Sequence, residues 1–301
     1  MEIRPVLPSD LSTCAEVFFA AEDELYDRRG LPHLPRNLEA LERLFGHIVA
    51  TDPQRVWLAE QGGTVTAFAM ASQRDRFWFL SFLFVLPQAQ GQGLGRRLMH
   101  RCLPAEGTAD VLGVCVEAIQ PVSTGLYATF GLVPRVPIYT LIGTLRHDLR
   151  PLPSGLDVVS FDDLAAGGGH EALVSTVGRL DGSVLGYTRS ADHRAFRQWK
   201  RSGFMLRRGD EALGYGYASE AGRVGPVVVD DASHLLPLVC ELTKRVQAVD
   251  AWQILVPGTA DETMVGLLRA GLRYDGPPAL FCATHRGPDL ERYLPGTFAL
   301  L

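Results

Sequence analysis

The sequence predicts a mixed α/β (α+β) protein of two tandem halves, each a mixed, mostly antiparallel sheet flanked by helices. Three observations predict it. Strand-like and helix-like periods alternate over residues 1–147 in the order β, α, α, β, β, β, α, β, α, β, β. Much of that pattern then recurs. The apolar run ending at Val85 is matched by one ending at Val229, and the turn Phe130-Gly131-Leu132 by Ala270-Gly271-Leu272, each about half a chain further on. Between the halves lies Arg150-Pro151-Leu152-Pro153-Ser154-Gly155, whose prolines and glycine mark a linker. The expected domains are therefore 1–149 and 150–301.

Each element has a local cause. Residues 3–6 alternate as a short strand. Pro8-Ser9-Asp10 then opens a helix whose apolar period runs through Cys14, Val17, Phe18 and Ala21. Arg29-Gly30-Leu31-Pro32 breaks it, and Leu38, Leu41, Leu44, Phe45 and Ile48 mark a second helix. Strands are expected at 56–60 and 64–72 around the turn Gln61-Gly62-Gly63, and at 76–85. A helix carrying Leu94, Leu98 and Cys102 follows. A strand at 111–117 comes next, then a helix at 123–130 and strands near Val133 and at 138–145. In the second half, strands are expected at 156–160, 204–208, 212–218, 224–229, 252–256 and 279–284. Helices are expected over 171–199, broken near Gly182, and at 232–246 and 261–270.

Composition narrows the function. Hydrophobic residues make up 47% and charged residues 21%, enough for real cores in two domains. The net charge is -5 with no basic stripe, so a nucleic-acid partner is not expected. No run approaches the length of a membrane span, and the N-terminus lacks the apolar stretch of a signal peptide. The five cysteines form no C-x-x-C pair and sit in apolar runs, as buried thiols of a cytoplasmic protein would. The histidines show no metal-ligand spacing, so no metal is expected.

The chemistry concentrates in Val85-Leu86-Pro87-Gln88-Ala89-Gln90-Gly91-Gln92-Gly93-Leu94-Gly95-Arg96. An apolar strand ends, and a glycine-rich loop opens directly into an amphipathic helix. Glycines let the backbone approach a ligand, and the free amides of a first helical turn attract phosphate. Arg96 stands where a dinucleotide fingerprint needs glycine, and no G-x-x-x-x-G-K is present. A tight turn with no ligand stays open on the glycines alone. The segment resembles the acetyl-CoA signature of the GCN5-related N-acetyltransferase (GNAT) family, V-x-P, a short spacer, then Q/R-x-x-G-x-G/A. Val85, Pro87, Gln90, Gly93 and Gly95 fit position for position, and the element order over residues 1–147 agrees. The resemblance implies that Gln90, Gly91, Gln92, Gly93, Leu94 and Gly95 hold the pyrophosphate, with Arg96 adding charge. It also implies that the backbone of Leu83, Phe84 and Val85 pairs with the pantetheine arm.

A second segment, Gln120-Pro121-Val122-Ser123-Thr124-Gly125-Leu126-Tyr127-Ala128-Thr129-Phe130-Gly131-Leu132, resembles the family's N-x-x-A-x-x-L-Y-x-x-x-G-F. Leu126, Tyr127 and Gly131 agree; Gln120, Ser123 and Leu132 depart from it. The family likeness implies that Tyr127 protonates the departing thiolate, a task suited to a phenol. A packing aromatic is the alternative. The position twelve before the tyrosine, acidic in some relatives, is Cys115. Glu117 lies two residues on, on the same strand face, and is expected as general base, directly or through water; a solvated strand-end glutamate is the alternative. Glu22, Asp23 and Glu24 are expected at the wet end of a helix.

The second half keeps the pattern and loses the chemistry. Asp230-Asp231-Ala232-Ser233-His234 replaces the glycine loop, and Leu267 stands at the tyrosine position. Two carboxylates there oppose phosphate. Asp181, Tyr187, Arg189, Asp192 and Trp199 are either within reach of a substrate or ordinary surface. The sequence thus predicts a cytoplasmic enzyme using acetyl-CoA, whose N-terminal GNAT domain transfers acetyl to a primary amine by direct attack. The amine is a small molecule or peptide, and a homodimer is left open. The degenerate half shapes the pocket or serves as an interface. The alternatives are an acyl-CoA-binding sensor without turnover, or O-acetyl or longer-acyl transfer on the same scaffold.

Overall fold

The computed structural model describes residues 1–146 and 151–301. The expected boundary between 149 and 150, and Arg150 at the head of the linker, lie outside the described residues. The chain forms two compact units, Met1–Val133 and Pro134–Leu301.

The first unit contains β1 (Glu2–Pro5), α1 (Leu11–Arg29), α2 (Leu38–Thr51), β2 (Val56–Gln61), β3 (Thr64–Arg74), β4 (Phe77–Val85), α3 (Leu94–Cys102), β5 (Val111–Glu117) and α4 (Pro121–Ala128). Its strands lie in the order β1-β2-β3-β4-β5. The first four are antiparallel, and β4 and β5 are parallel. Side chains alternate across the sheet. Phe68, Phe82 and Phe84 face α1 and α2, where they meet Phe18 and Phe45 edge-on at ring separations of 4.7 to 6.2 Å. Leu83 points the other way, toward α3. Each fully buried phenylalanine contributes about 1.5–3 kcal/mol, so this cluster anchors α1 to the strands that carry the site. Gly30, at φ 65°, stops α1: its N–H donates to Asp27 O while Leu31 N–H donates to Tyr26 O.

The second unit contains β6 (Val133–Gly143, which begins at the division), β7 (Asp157–Ser160), α5 (Phe161–Leu164), α6 (His170–Val184), α7 (Ser190–Gln198), β8 (Ser202–Arg208), β9 (Glu211–Ala218), β10 (Arg223–Val229), α8 (Leu235–Arg245), β11 (Trp252–Pro257), α9 (Asp261–Arg269), β12 (Arg273–Tyr274), β13 (Ala279–Ala283) and β14 (Tyr293–Leu294). The strand order is β13-β6-β11-β10-β9-β8-β7, with β12 on β6 and β14 on β10. From β7 onward the order of strands and helices follows that of the first unit, except that α5, α6 and α7 stand where α1 and α2 do. Its one mark of direction recurs too, since β10 and β11 are parallel as β4 and β5 are.

Two expected details differ. The strands expected near Val133 and at 138–145 form one strand, because Pro134 and Pro137 do not break it: Pro137 O accepts from Gly258 N–H, a bond that needs no donor from proline. The helical break falls at residues 185–189 instead of Gly182, because Gly182 lies within an unbroken α6 and Leu185 N–H still donates to Asp181 O.

Candidate active site

The pairing of β4 with β5 runs from Phe77–Val111 to Leu80–Val114 and stops there, although both strands continue. At the same level β4 bulges. Met70 pairs with Phe82 and Ala71 with Leu80, which leaves Ser81 as the extra residue. A bulge bends a strand and re-aims its side chains. Ser81 Oγ is buried and has no hydrogen-bond partner among the described residues. Beyond it, Leu83, Phe84 and Val85 pair with β3 through Ala69, Phe68 and Ala67. Their other edge does not pair with β5.

The loop that follows is built for close approach. Gly91 and Gly93 both sit at φ 74°, and a Cβ on either would meet nothing within 4 Å, so both open on free space. Gly93 caps α3 without any side-chain hydrogen bond, so the first amides of that helix have no partner within it. This is the cradle an anionic group fits. Gln90 Nε2 donates to Val85 O at 3.1 Å and fixes the loop's entry. Gly95 is required differently: a Cβ there would stand 3.3 Å from Leu83 Cδ2 and Leu126 Cδ2, so it lets α3 lie close to β4 and α4. Arg96 leans on α4's far end, over the Phe130 ring at 5.6 Å and 3.2 Å from Thr129 Oγ1. Tyr127 is buried, at 4% exposure, on the short helix α4.

Glu117 ends β5 past the last β4–β5 pair. Its Oε1 accepts from Tyr26 OH at 3.2 Å. Burial pushes its carboxyl up, and the Tyr26 hydrogen bond opposes that. The structure then corrects one expectation. Glu22 is not at a wet helix end: it is 8% exposed, and its Oε2 bonds to nothing among the described residues. Helical spacing puts Glu22 one turn before Tyr26 on α1's buried face. Burial first, then the Glu117 charge, and then Asp23, push the Glu22 carboxyl up to about 8. The neighbouring acids are placed differently. Asp23 pairs with Arg36, Glu24 with Arg28 at 2.7 Å, and Asp27 with His33 at 2.8 Å. The period that buries Val17, Leu25 and Tyr26 runs through Glu22 as well, and that was the available sign.

In the second unit, the loop after β10 supplies its own anion. Asp231 Oδ1 accepts from Ser233 N–H at 2.9 Å, occupying an amide that a phosphate would use, and Asp230 pairs with His234 at 3.0 Å. Leu267 is fully buried. The polar residues around 181–199 are mostly core. Asp181 and Arg189 are buried, 3.4 Å apart, with Tyr215 and Tyr293 bonded to them. His193 bridges Asp181 at 2.8 Å and Tyr217 at 2.9 Å, so both ring nitrogens are engaged. Two shallow grooves of about 370 and 190 Å³ lie in this unit, and neither is lined by a residue of the glycine loop or of the Glu22–Glu117 cluster. Among the described residues no three His, Cys, Asp or Glu side chains could hold a metal, and no helix is long and apolar enough to cross a membrane.

Residues 20–132 match the model of the acetyltransferase (GNAT) family. No curated protein is significantly similar to the chain in sequence. Solved structures are. An acetyltransferase, so described, of Pyrococcus horikoshii shares 14% identity at a TM-score of 0.78, over 100% of this chain and 95% of its own. A GCN5-related N-acetyltransferase of Sphaerobacter thermophilus shares 19% at 0.62, over 96% and 98%. A tandem GNAT protein from the clavulanic acid biosynthesis pathway shares 14% at 0.56, over 95% and 99%. At these identities the likeness is one of fold: two GNAT-like domains in tandem.

Proposed function

We propose that this chain, whose residues 20–132 are a GNAT-family acetyltransferase domain, moves an acetyl group from acetyl-CoA to a primary amine by direct attack in a ternary complex. The observation that carries the reading is the loop Gln90–Arg96. Two glycines at φ 74° open on free space before an uncapped helix start, at the end of a strand whose outer edge is left unpaired by β5. That combination supports a pyrophosphate on the amides of Gly91 to Gly95 and an extended pantetheine along Leu83 to Val85.

The chemistry then needs three things. The thioester carbon must stand near the gap where β4 and β5 part. The amine must arrive there without its extra proton, a step that calls for a proton acceptor near the end of β5, where Glu117 lies and acts on Glu22 of α1. The departing thiolate must be protonated, the role assigned to Tyr127. A phenol ordinarily keeps its proton at neutral pH, which leaves one to give to the thiolate. A thioester is already a good acyl donor, so no covalent enzyme intermediate is required. The acceptor is a small molecule or a peptide end, and the protein works in the cytoplasm.

The test is thiol release from acetyl-CoA against a panel of primary amines. Amine-dependent release supports the reading. CoA binding with no release for any amine favours a sensor, and release only with alcohols or only from longer acyl-CoAs moves the activity to O-acylation or to another donor.

A further inference from the structure

We propose that Glu22 takes the proton that a cationic acceptor must lose before attack, and that Glu117, held by the Tyr26 hydroxyl, is its partner carboxyl at that site. This rests on the acyltransferase reading and deepens it: the acceptor enters as an alkylammonium ion, and a residue of α1 prepares it.

Geometry comes first. Glu22 and Tyr26 lie one turn apart on the buried face of α1, and Tyr26 OH reaches Glu117 Oε1 at 3.2 Å. The three groups therefore converge past the point where β4 and β5 separate. Among the described residues Glu22 Oε2 has no hydrogen-bond partner, in a residue only 8% exposed. Buried polar atoms are almost always bonded, and one left bare costs free energy unless something else supplies the partner. An ammonium donor supplies it. Ser81 Oγ, buried on the β4 bulge, is a second polar atom without a partner among the described residues, on the strand that borders the gap.

Charge then divides the roles. Two close carboxyls do not ionise together. Tyr26 stabilises the Glu117 carboxylate, so Glu117 ionises first and Glu22 holds its proton to about pH 8. The groups acting on Glu22 are Glu117 from β5 and Asp23 from its own helix. The strand β4 carries no ionisable residue. Arg74 of β3 is paired with Asp52, Arg43 of α2 is paired with Glu39, and α2 also carries Glu42 and His47. A carboxylate of this basicity is a better match to an alkylammonium than an ordinary one. About a tenth is ionised at pH 7, and a bound cation raises that share.

The steps balance. An ammonium proton passes to the Glu22 carboxylate, and the freed lone pair forms the C–N bond at the thioester carbon. The C–S bond breaks with its electron pair leaving on sulfur. Tyr127 O–H protonates that thiolate, and a second proton from nitrogen restores the phenol. Glu22 then releases its proton to solvent.

The experiment compares two probe acceptors with acetyl-CoA: n-butylamine, cationic at neutral pH, and methoxyamine, which is not. Glu22→Gln should slow transfer to n-butylamine by about tenfold to ten-thousandfold and leave methoxyamine within about twofold. Glu117→Gln should move the acid limb of the n-butylamine rate profile, which the ionisation of Glu22 sets, to lower pH, a shift a merely structural role would not cause. Equal loss with both probes overturns the assignment. A parent protein that transfers to neither probe counts against the acyltransferase reading instead. Carbon-13 titration of the Glu22 carboxyl then decides its role alone: a midpoint near 8 that n-butylammonium lowers supports it, and a midpoint near 4.5 or unmoved by the cation overturns it.

Discussion

Replacing Glu22 by Gln should make the protein's stability less dependent on pH, and the size of the change follows from burial. Glu22 keeps its proton in the folded chain to about pH 8, whereas the ordinary value is 4.5. The raised value fixes the sign. The stabilisation tied to the protonated carboxyl is fully present below pH 4.5, declines by about 1.4 kcal/mol per pH unit above it, and is lost as pH rises through 8. Summed over that window the loss is on the order of 4–5 kcal/mol, a large part of the stability of an ordinary domain. A glutamine has the same shape and no proton to lose. Urea unfolding of the parent and Glu22→Gln, from pH 5 to pH 9, should therefore give curves that nearly meet at the acid end. The variant should be more stable by several kcal/mol at the alkaline end. Parallel curves would show that Glu22 titrates alike in folded and unfolded chains, and the buried carboxyl pair would fall with that result.

Other perturbations reach different parts of the structure. Tyr127→Phe should leave acetyl-CoA affinity nearly intact and lower turnover by about tenfold to ten-thousandfold in steady-state assays; full turnover would make Tyr127 a packing residue. Arg189→Met should destabilise the second unit by about 3–5 kcal/mol in thermal unfolding, because it strands Asp181 without its buried cation. Asp231→Ala should cost about 0.5–2 kcal/mol in the same assay through the lost bond to Ser233 N–H.

The sequence and the structure agree where one residue type answers one local demand. Glycines at 91 and 93 were readable because the loop needs positive φ and open space, and the structure has both. The tandem architecture was readable because strand and helix periods recur, down to the loop after Val229. Glu22 was not read correctly. Three acids in a row look like a solvated helix face, and only the packing of α1 on β3 and β4 decides which of the three is turned inward. The cluster at 181–199 hid for a related reason: an Asp and an Arg spaced along the chain give no hint that two tyrosines from distant strands will close over them. Pairing across a sheet is non-local, and so are the burial and the altered acidity that come with it. The convergence of Tyr26 with Glu117 likewise joins two elements 91 residues apart.

The central claim is that one CoA sits on the loop of the first unit, and calorimetric titration with CoA tests it most directly. The account predicts one site per chain in the parent protein. In Gly93→Asp the affinity should fall by at least about a hundredfold, because the substitution forces a side chain onto an αL backbone, fills the cradle and sets a carboxylate against the phosphates. Two CoA molecules per chain, or unchanged affinity in a folded Gly93→Asp protein, would contradict it.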